Sequence, residues 1–113
     1  MAEVTNNIRI SDDVVASIAG IAAIEVAGVS RLTGNMSKDL VSKLGKKNLA
    51  NGVKIAINDG SVNVDVSLEL EYGNSVRKVS EEVQVKVAQA IESMTGLRVN
   101  QVNVMVSSIK YAQ

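Results

Sequence analysis

The sequence predicts an α+β domain in which helices cover one face of a mixed β-sheet. The stretch from Val53 to Tyr72 alternates apolar and polar residues, which is the period of a strand with one buried face. The stretches 11–28 and 75–95 instead repeat their apolar residues at the helical period. Because the other face of the strands is polar, only one face needs a helical layer, and a two-layer domain results.

The first half of the chain predicts two strands and two helices. IRI at 8–10 is a short strand, and Ser11 caps the helix that follows and ends at Gly28. VSRL is the second strand. Ser37 then begins a short helix that Gly45 ends in the left-handed conformation. The apolar face of the first helix is predicted to contain Val14, Val15, Ile18, Ile21 and Ala22.

The clearest pattern is a β-hairpin. VKIAIN and SVNVDVSLELEY flank Asp59–Gly60, and a two-residue loop of this type favours a type I′ turn. The turn fixes the register, so Lys54 lies opposite Asp65 and the valines and isoleucines share one face. Gly73 turns the chain after the second strand, whose inward residues are predicted to continue to Tyr72.

A long helix and a final strand complete the domain. Ser75 caps a helix of about 20 residues that Gly96 ends. The final strand is predicted to turn Asn100 and Val102 to one face. A strand, a helix and a returning strand indicate a crossover between parallel strands, and the complete order is β-α-β-α-β-β-α-β. The buried stripe of the helix is predicted to contain Val76, Val79, Val83, Val87, Ala90, Ile91 and Met94.

One domain accounts for nearly all of the 113 residues, of which 46% are hydrophobic. We expect a flexible N-terminus over 1–7, the domain over 8–109 and a short tail over 110–113. The apolar stretch 14–29 is short for a bilayer and contains Glu25, so it predicts a buried helix with no direct membrane insertion. The opening residues MAEVTNN have no basic region and no apolar run of the signal-peptide type, and we expect a cytoplasmic protein.

The composition excludes most catalytic chemistry. There is no Cys and no His, so the chain lacks a thiolate nucleophile, the usual general base and the commonest metal ligand. Glu81 and Glu82 are adjacent on a helix and point about 100° apart, so they do not form a catalytic pair. We therefore expect no enzyme, no cofactor and no metal site.

The candidate binding surface is basic. Twelve basic and twelve acidic residues cancel over the whole chain, but the segment KLGKKNLANG concentrates lysines. Its glycines lack the GxxxxGK[ST] spacing of a phosphate-binding loop. Three interpretations stay open: solvated lysines between structural glycines, a surface for an anionic protein or lipid, and specific phosphate binding. The candidate surface contains Lys43, Lys46, Lys47 and Lys54, and the structural turns contain Gly45, Gly52, Asp59, Gly60, Gly73 and Gly96.

Nucleic-acid binding is disfavoured, and self-association stays open. A domain without net charge lacks the basic excess that neutralises phosphates. The outer sheet face also offers no aromatic residue on which a base could stack. The basic segment 38–54 and the acidic strand 59–71 could pair between copies to form a homo-oligomer.

Four stretches in combination resemble a known family. They are ISDDVVASIAGIAAIEVAGVSRL, GKKNLANGVKI, VDVSLELEYG and VQVKVAQAIESMTGLRVNQVNVMV. The chain resembles the alkaline shock protein family of bacterial envelope stress proteins, also called the Gls type, over residues 8–109. It departs from the family's YG-x-S-[IV]-P turn, because Arg77 stands in place of the proline.

The resemblance implies a function without catalysis. It implies a small cytoplasmic protein of mostly Gram-positive bacteria, active in stress response and cell-envelope homeostasis. It also implies a protein partner, such as a membrane anchor, that holds the protein close to the membrane. The alternatives are a non-catalytic regulator of an enzyme of fatty-acid synthesis and a weak nucleic-acid-binding module.

Overall fold

The computed structural model describes residues 10–33 and 52–111. In these ranges two helices pack on one face of a four-stranded sheet, which confirms the predicted α+β class. The predicted helix after Ser37 lies outside the described residues. Of the predicted strand at 8–10 only Ile10 is described, and it is not in a strand. The elements are α1 (Asp12–Ile24), β1 (Val29–Leu32), β2 (Val53–Asn58), β3 (Ser61–Glu71), α2 (Val76–Thr95) and β4 (Arg98–Lys110).

The central strand of the sheet is β3. On one side β4 runs parallel to it, as the predicted crossover requires. On the other side β2 pairs antiparallel with residues 61–66 and β1 pairs antiparallel with residues 68–70. β1 and β2 therefore lie end to end along the same edge of β3. The sheet is mixed, as the sequence predicts.

The hairpin of β2 and β3 has the predicted turn and register. Asp59 and Gly60 have φ angles of 51° and 81°, and a type I′ turn requires positive φ at both central residues. The register places Lys54 opposite Asp65. Every even-numbered residue of β3 from 62 to 70 consequently points into the core and is fully buried.

The core is aliphatic and lies between the helices and the sheet. A buried leucine or valine side chain contributes about 1.5–3 kcal/mol relative to an exposed one, so these layers supply most of the stability of the fold. No helix in residues 10–33 or 52–111 is long and apolar enough to cross a membrane. The buried helical residues are Val15, Ala16, Ala19, Gly20, Ala22 and Ala23 of α1 and Val79, Val83, Val87 and Ile91 of α2.

The buried face of α1 is rotated from the predicted one. Val14 and Ile21, both predicted to be buried, are 49% and 42% exposed. Ala16, Ala19 and Ala23 occupy the inner face instead. Small residues at helical spacing let α1 approach its neighbours closely, whereas the larger side chains fit only at the margin of the contact.

The end of α1 also differs from the prediction. The helix ends at Ile24 with Glu25 as its C-cap, and not at Gly28. The amide of Val26 donates to the carbonyl of Ala23, and this tighter turn brings Val26 into the core at 4% exposure. Gly28 takes a φ of 98° in the turn that leads into β1.

α2 has the predicted length and caps but a shorter buried stripe. It has 20 residues, Ser75 accepts from the amide of Lys78, and Gly96 is a left-handed C-cap. Val76 and Met94 were expected inside and are 46% and 71% exposed. They lie in the first and last turns of the helix, where side chains reach beyond the buried layer of the core.

Two expectations at the ends of the strands are wrong. A bulge between Val99 and Gln101 adds one residue to β4, so Asn100 is exposed and Val99 takes the inward position. β3 ends at Glu71, and Tyr72 is consequently 66% exposed. Its ring lies 5.0 Å from that of Tyr111, centroid to centroid.

Candidate interaction site

The sheet face opposite the helices carries polar side chains that bond across strands. Asn100 donates its amide to the Oδ1 of Asn63 at 3.1 Å, and Asn103 donates to the Oδ1 of Asp65 at 2.8 Å. This surface is hereafter called the polar face. Its residues include Asn63, Asp65 and Glu69 of β3 and Asn100, Asn103 and Ser108 of β4. A hydrogen bond in a protein typically contributes about 0.5–1.5 kcal/mol, and together these bonds hold the side chains in defined positions.

Glu69 is the centre of a cluster at one end of the polar face. Its side chain lies in β3 and the residue is 9% exposed. The carboxylate lies 3.4 Å from Nε of Arg31, a residue of β1. It also accepts a hydrogen bond from Oγ of Ser108 in β4 at 3.0 Å and another from the hydroxyl of Ser30. The cluster therefore ties three strands together.

The surroundings of Glu69 keep it ionised. Burial is the largest single influence, and it acts to raise the pKa of Glu69. The hydrogen bonds from Ser30 and Ser108, with the charge and hydrogen bond of Arg31, outweigh burial and lower the pKa of Glu69 below its ordinary value of 4.5. At neutral pH the group is a carboxylate with its partners in place, which suits it to a structural tie and not to donating a proton.

The edge strand formed by β1 and β2 is interrupted opposite Ser67. The amide of Thr33 donates to the carbonyl of Ser67 at 2.9 Å, and the amide of Ser67 donates to the carbonyl of Gly52 at 2.8 Å. A Cβ on Gly52, whose φ is 92°, would clash with the backbone oxygen of Thr33. Thr33 and Gly52, the residues that flank 34–51, therefore meet the sheet at a single point.

The predicted lysine surface is only partly described. Lys43, Lys46 and Lys47 lie outside the described residues, as does Gly45. Lys54 is exposed on β2, two residues after Gly52. The structure thus places Lys54 beside the point where the lysine-rich segment returns to the sheet, and the surface as a whole stays a prediction.

The other predicted turn residues have left-handed or related backbone conformations. Such positions favour glycine because a side chain there is strained. These residues determine the course of the backbone, and they are not part of the lysine surface around Lys54. The φ angles are 51° at Asp59, 81° at Gly60, 97° at Gly73 and 78° at Gly96.

Sequence reasoning missed the cluster around Glu69. The alternation of β3 predicts an exposed Glu69 between Leu68 and Leu70. The signal in the sequence was Arg31 in the short strand VSRL, because opposite charges on neighbouring strands of a sheet attract each other. The partner could not be named, because the register of β1 against β3 depends on a long connection. Within residues 10–33 and 52–111, no group of three or more possible ligands could hold a metal ion.

Sequence comparison links this domain to proteins of Gram-positive bacteria. The model of the alkaline shock protein 23 family, described as having a cell envelope-related function, matches residues 1–111. Protein YqhY of Bacillus subtilis (strain 168) is 36% identical over 104 residues, which cover 92% of this chain and 77% of YqhY. Protein Spy1614 of Streptococcus pyogenes serotype M6 is 38% identical over 108 residues, covering 91% of this chain and 87% of its own.

A third relative carries a functional name. A Streptococcus pyogenes serotype M3 protein named stress response regulator gls24 homolog is 30% identical over 100 residues, which cover 88% of this chain and 56% of that protein. Among solved structures, a variant of the MamM CTD is similar, with a TM-score of 0.52 and 14% identity over 85% of this chain and 93% of that one. At this identity the likeness shows the fold alone.

Proposed function

The chain belongs to the alkaline shock protein 23 family, whose described function is related to the cell envelope, and we propose that it acts there as a non-enzymatic adaptor. In this proposal it is a cytoplasmic protein that binds a membrane-anchored protein partner during the stress response. The name of the streptococcal stress response regulator supports the link to stress. The proposed contact surface consists of Lys43, Lys46, Lys47 and Lys54.

The observation that carries the proposal is the attachment of the lysine-rich segment. Thr33 and Gly52, the described residues on either side of 34–51, are both hydrogen bonded to Ser67 and therefore lie at one point of the sheet. Lys54 is exposed directly after this point. A binding segment joined to an edge strand can change its contacts while the buried residues of β3 keep the fold intact.

Charge indicates the chemistry of the partner. Lysines attract carboxylates or other anions, but each exposed ion pair contributes only about 0–1 kcal/mol. Several pairs are therefore needed, which fits an acidic segment of a partner protein. We expect the association to weaken with added salt, because the screening length falls to about 8 Å at physiological ionic strength.

The test is crosslinking in the native cell with matched charge reversals. One variant carries Lys43→Glu, Lys46→Glu and Lys47→Glu. The control carries three equal reversals on the exposed side of α2, Arg77→Glu, Lys78→Glu and Lys86→Glu. Membrane and soluble fractions are collected separately, and crosslinked partners are identified by mass spectrometry.

We expect a partner in the membrane fraction that crosslinks to the control variant but not to the lysine variant. Equal crosslinking by both variants would show that the lysine surface is not the contact. If the main partner is instead a soluble enzyme of lipid synthesis, the adaptor proposal is wrong. The protein would then be a regulator of fatty-acid synthesis.

A further inference from the structure

The outer edge of β4 is open among the described residues. β4 has 13 residues and pairs with β3 along one side, and no other strand in 10–33 or 52–111 pairs with its far side. The amide of Gln84 donates to the carbonyl of Val102 at 3.0 Å, so that carbonyl points away from β3. Backbone groups alternate in direction along a strand, and those of Val104 and Val106 therefore point the same way.

A groove runs beside this edge. It has a volume of about 500 Å³ and lies between α2 and β4, where it is lined by Gln84, Val85 and Ala88 of α2 and by residues 99–103 of β4. Val85 is 56% exposed. A strand added to β4 would place every second side chain in this groove, against apolar surface, and the others on the polar face.

The composition of β4 leaves the edge able to pair. Proteins usually protect a free edge with charged residues or proline. β4 has charges only at its two ends, Arg98 and Lys110, and no proline. Its bulges, after Val99 and after Val106, leave the six residues between them regular and uncharged. This stretch is suited to a partner strand.

The two terminal charges decide which strand fits. In an antiparallel pair of two copies, Arg98 of one β4 would lie near Lys110 of the other, and like charges opposite each other are unfavourable. An acidic residue at each end of the added strand removes the repulsion and forms two ion pairs. We propose that the outer edge of β4 binds an extended segment of a partner protein that has alternating apolar residues and acidic residues at both ends.

This site is separate from the lysine surface. Lys54 lies on β2, and β2 and β4 are on opposite sides of β3. The two surfaces can be tested and can fail independently. A protein that uses both would hold two partner segments on the two edges of one sheet.

The probe is a synthetic peptide as long as β4, 13 residues, with alternating valine and threonine and two glutamates at each end. A second peptide with lysines in place of the glutamates is the control. Binding to the full chain is measured at low salt by fluorescence anisotropy. Hydrogen exchange followed by NMR reports the amides of Val104 and Val106, which we expect to become protected by the acidic peptide.

Charge reversal at the ends of β4 tests the specificity. We expect Arg98→Glu with Lys110→Glu to weaken binding of the acidic peptide about tenfold. Lys78→Glu with Lys86→Glu makes the same charge change on α2, and we expect it to change binding less than about twofold. Gln84→Ala frees the carbonyl of Val102 and should strengthen binding about threefold.

Four results would overturn the proposal. They are equal binding of the acidic and lysine peptides, equal effects of the two double reversals, and weaker binding after Gln84→Ala. The fourth is full protection of the amides of Val104 and Val106 in the free protein, because the chain itself would then already cover the edge.

Discussion

Replacing Glu69 with glutamine tests whether the cluster of the polar face stabilises the fold. Glutamine has the size of glutamate but removes the charge that Arg31 contacts at 3.4 Å and that Ser108 bonds at 3.0 Å. A hydrogen bond to a charged group contributes about 1.5–3 kcal/mol. The side chain of Arg31 is 49% exposed and regains water in the variant. We therefore expect Glu69→Gln to lower the free energy of unfolding by about 1–2 kcal/mol at pH 7.

The pH dependence of this loss follows from the lowered pKa of Glu69. A carboxyl group with a lower pKa in the folded than in the unfolded state adds stability above the unfolded pKa and loses it as the pH falls through the folded pKa. The stability difference between the wild type and Glu69→Gln should stay constant from pH 7 to about pH 5. It should shrink below the ordinary value of 4.5.

The assay is urea unfolding of the wild type and the variant from pH 7 to pH 3. Glu71→Gln is the matched control, because Glu71 lies two residues further along β3 and is exposed. We expect that control to stay within about 0.5 kcal/mol of the wild type. A difference between wild type and Glu69→Gln that grows in acid would mean that burial outweighs the partners of Glu69, and the reasoning would be wrong.

Three further tests by the same unfolding assay probe the backbone, the core and a helix cap. Gly52→Ala should cost about 3 kcal/mol, because its Cβ would clash with a backbone oxygen, whereas Gly60→Ala, with open space around it, should cost about 1 kcal/mol; equal losses would contradict this difference. Leu68→Ala should lower the free energy of unfolding by about 2–5 kcal/mol because Leu68 is fully buried. Met94 is 71% exposed, so Met94→Ala should stay within about 0.5 kcal/mol of the wild type. Similar losses in the two variants would mean that Leu68 does not belong to the core. Ser75→Ala removes the cap of α2 and should cost about 1 kcal/mol, and no loss would mean that water replaces the cap.

The features predicted from the sequence are those set by local rules. Asp59–Gly60 defines a turn and, through it, the register of the whole hairpin. Ser75 and Gly96 mark the two ends of α2 in the same way. Each of these signals lies within a few residues of the structure that it determines.

The features that the sequence did not predict depend on contacts between distant residues. The apolar residues surround so much of α1 that the pattern cannot show which side faces inward, and the small side chain of Ala19 decided it through packing. The bulge at Asn100 depends on the pairing of β4 with β3. The contact of Arg31 with Glu69 depends on how β1 meets β3 across a long connection.

The interruption of the edge strand has a consequence for how such a domain can change. Thr33 and Gly52 both lie opposite Ser67, and two residues against one is the arrangement of a β-bulge. If the two residues were joined directly, β1 and β2 would become one bulged strand. Lengthening a connection costs only about 0.6 kcal/mol for each doubling. We therefore expect the sheet to keep its structure when residues 34–51 are replaced by a connection of another length or sequence.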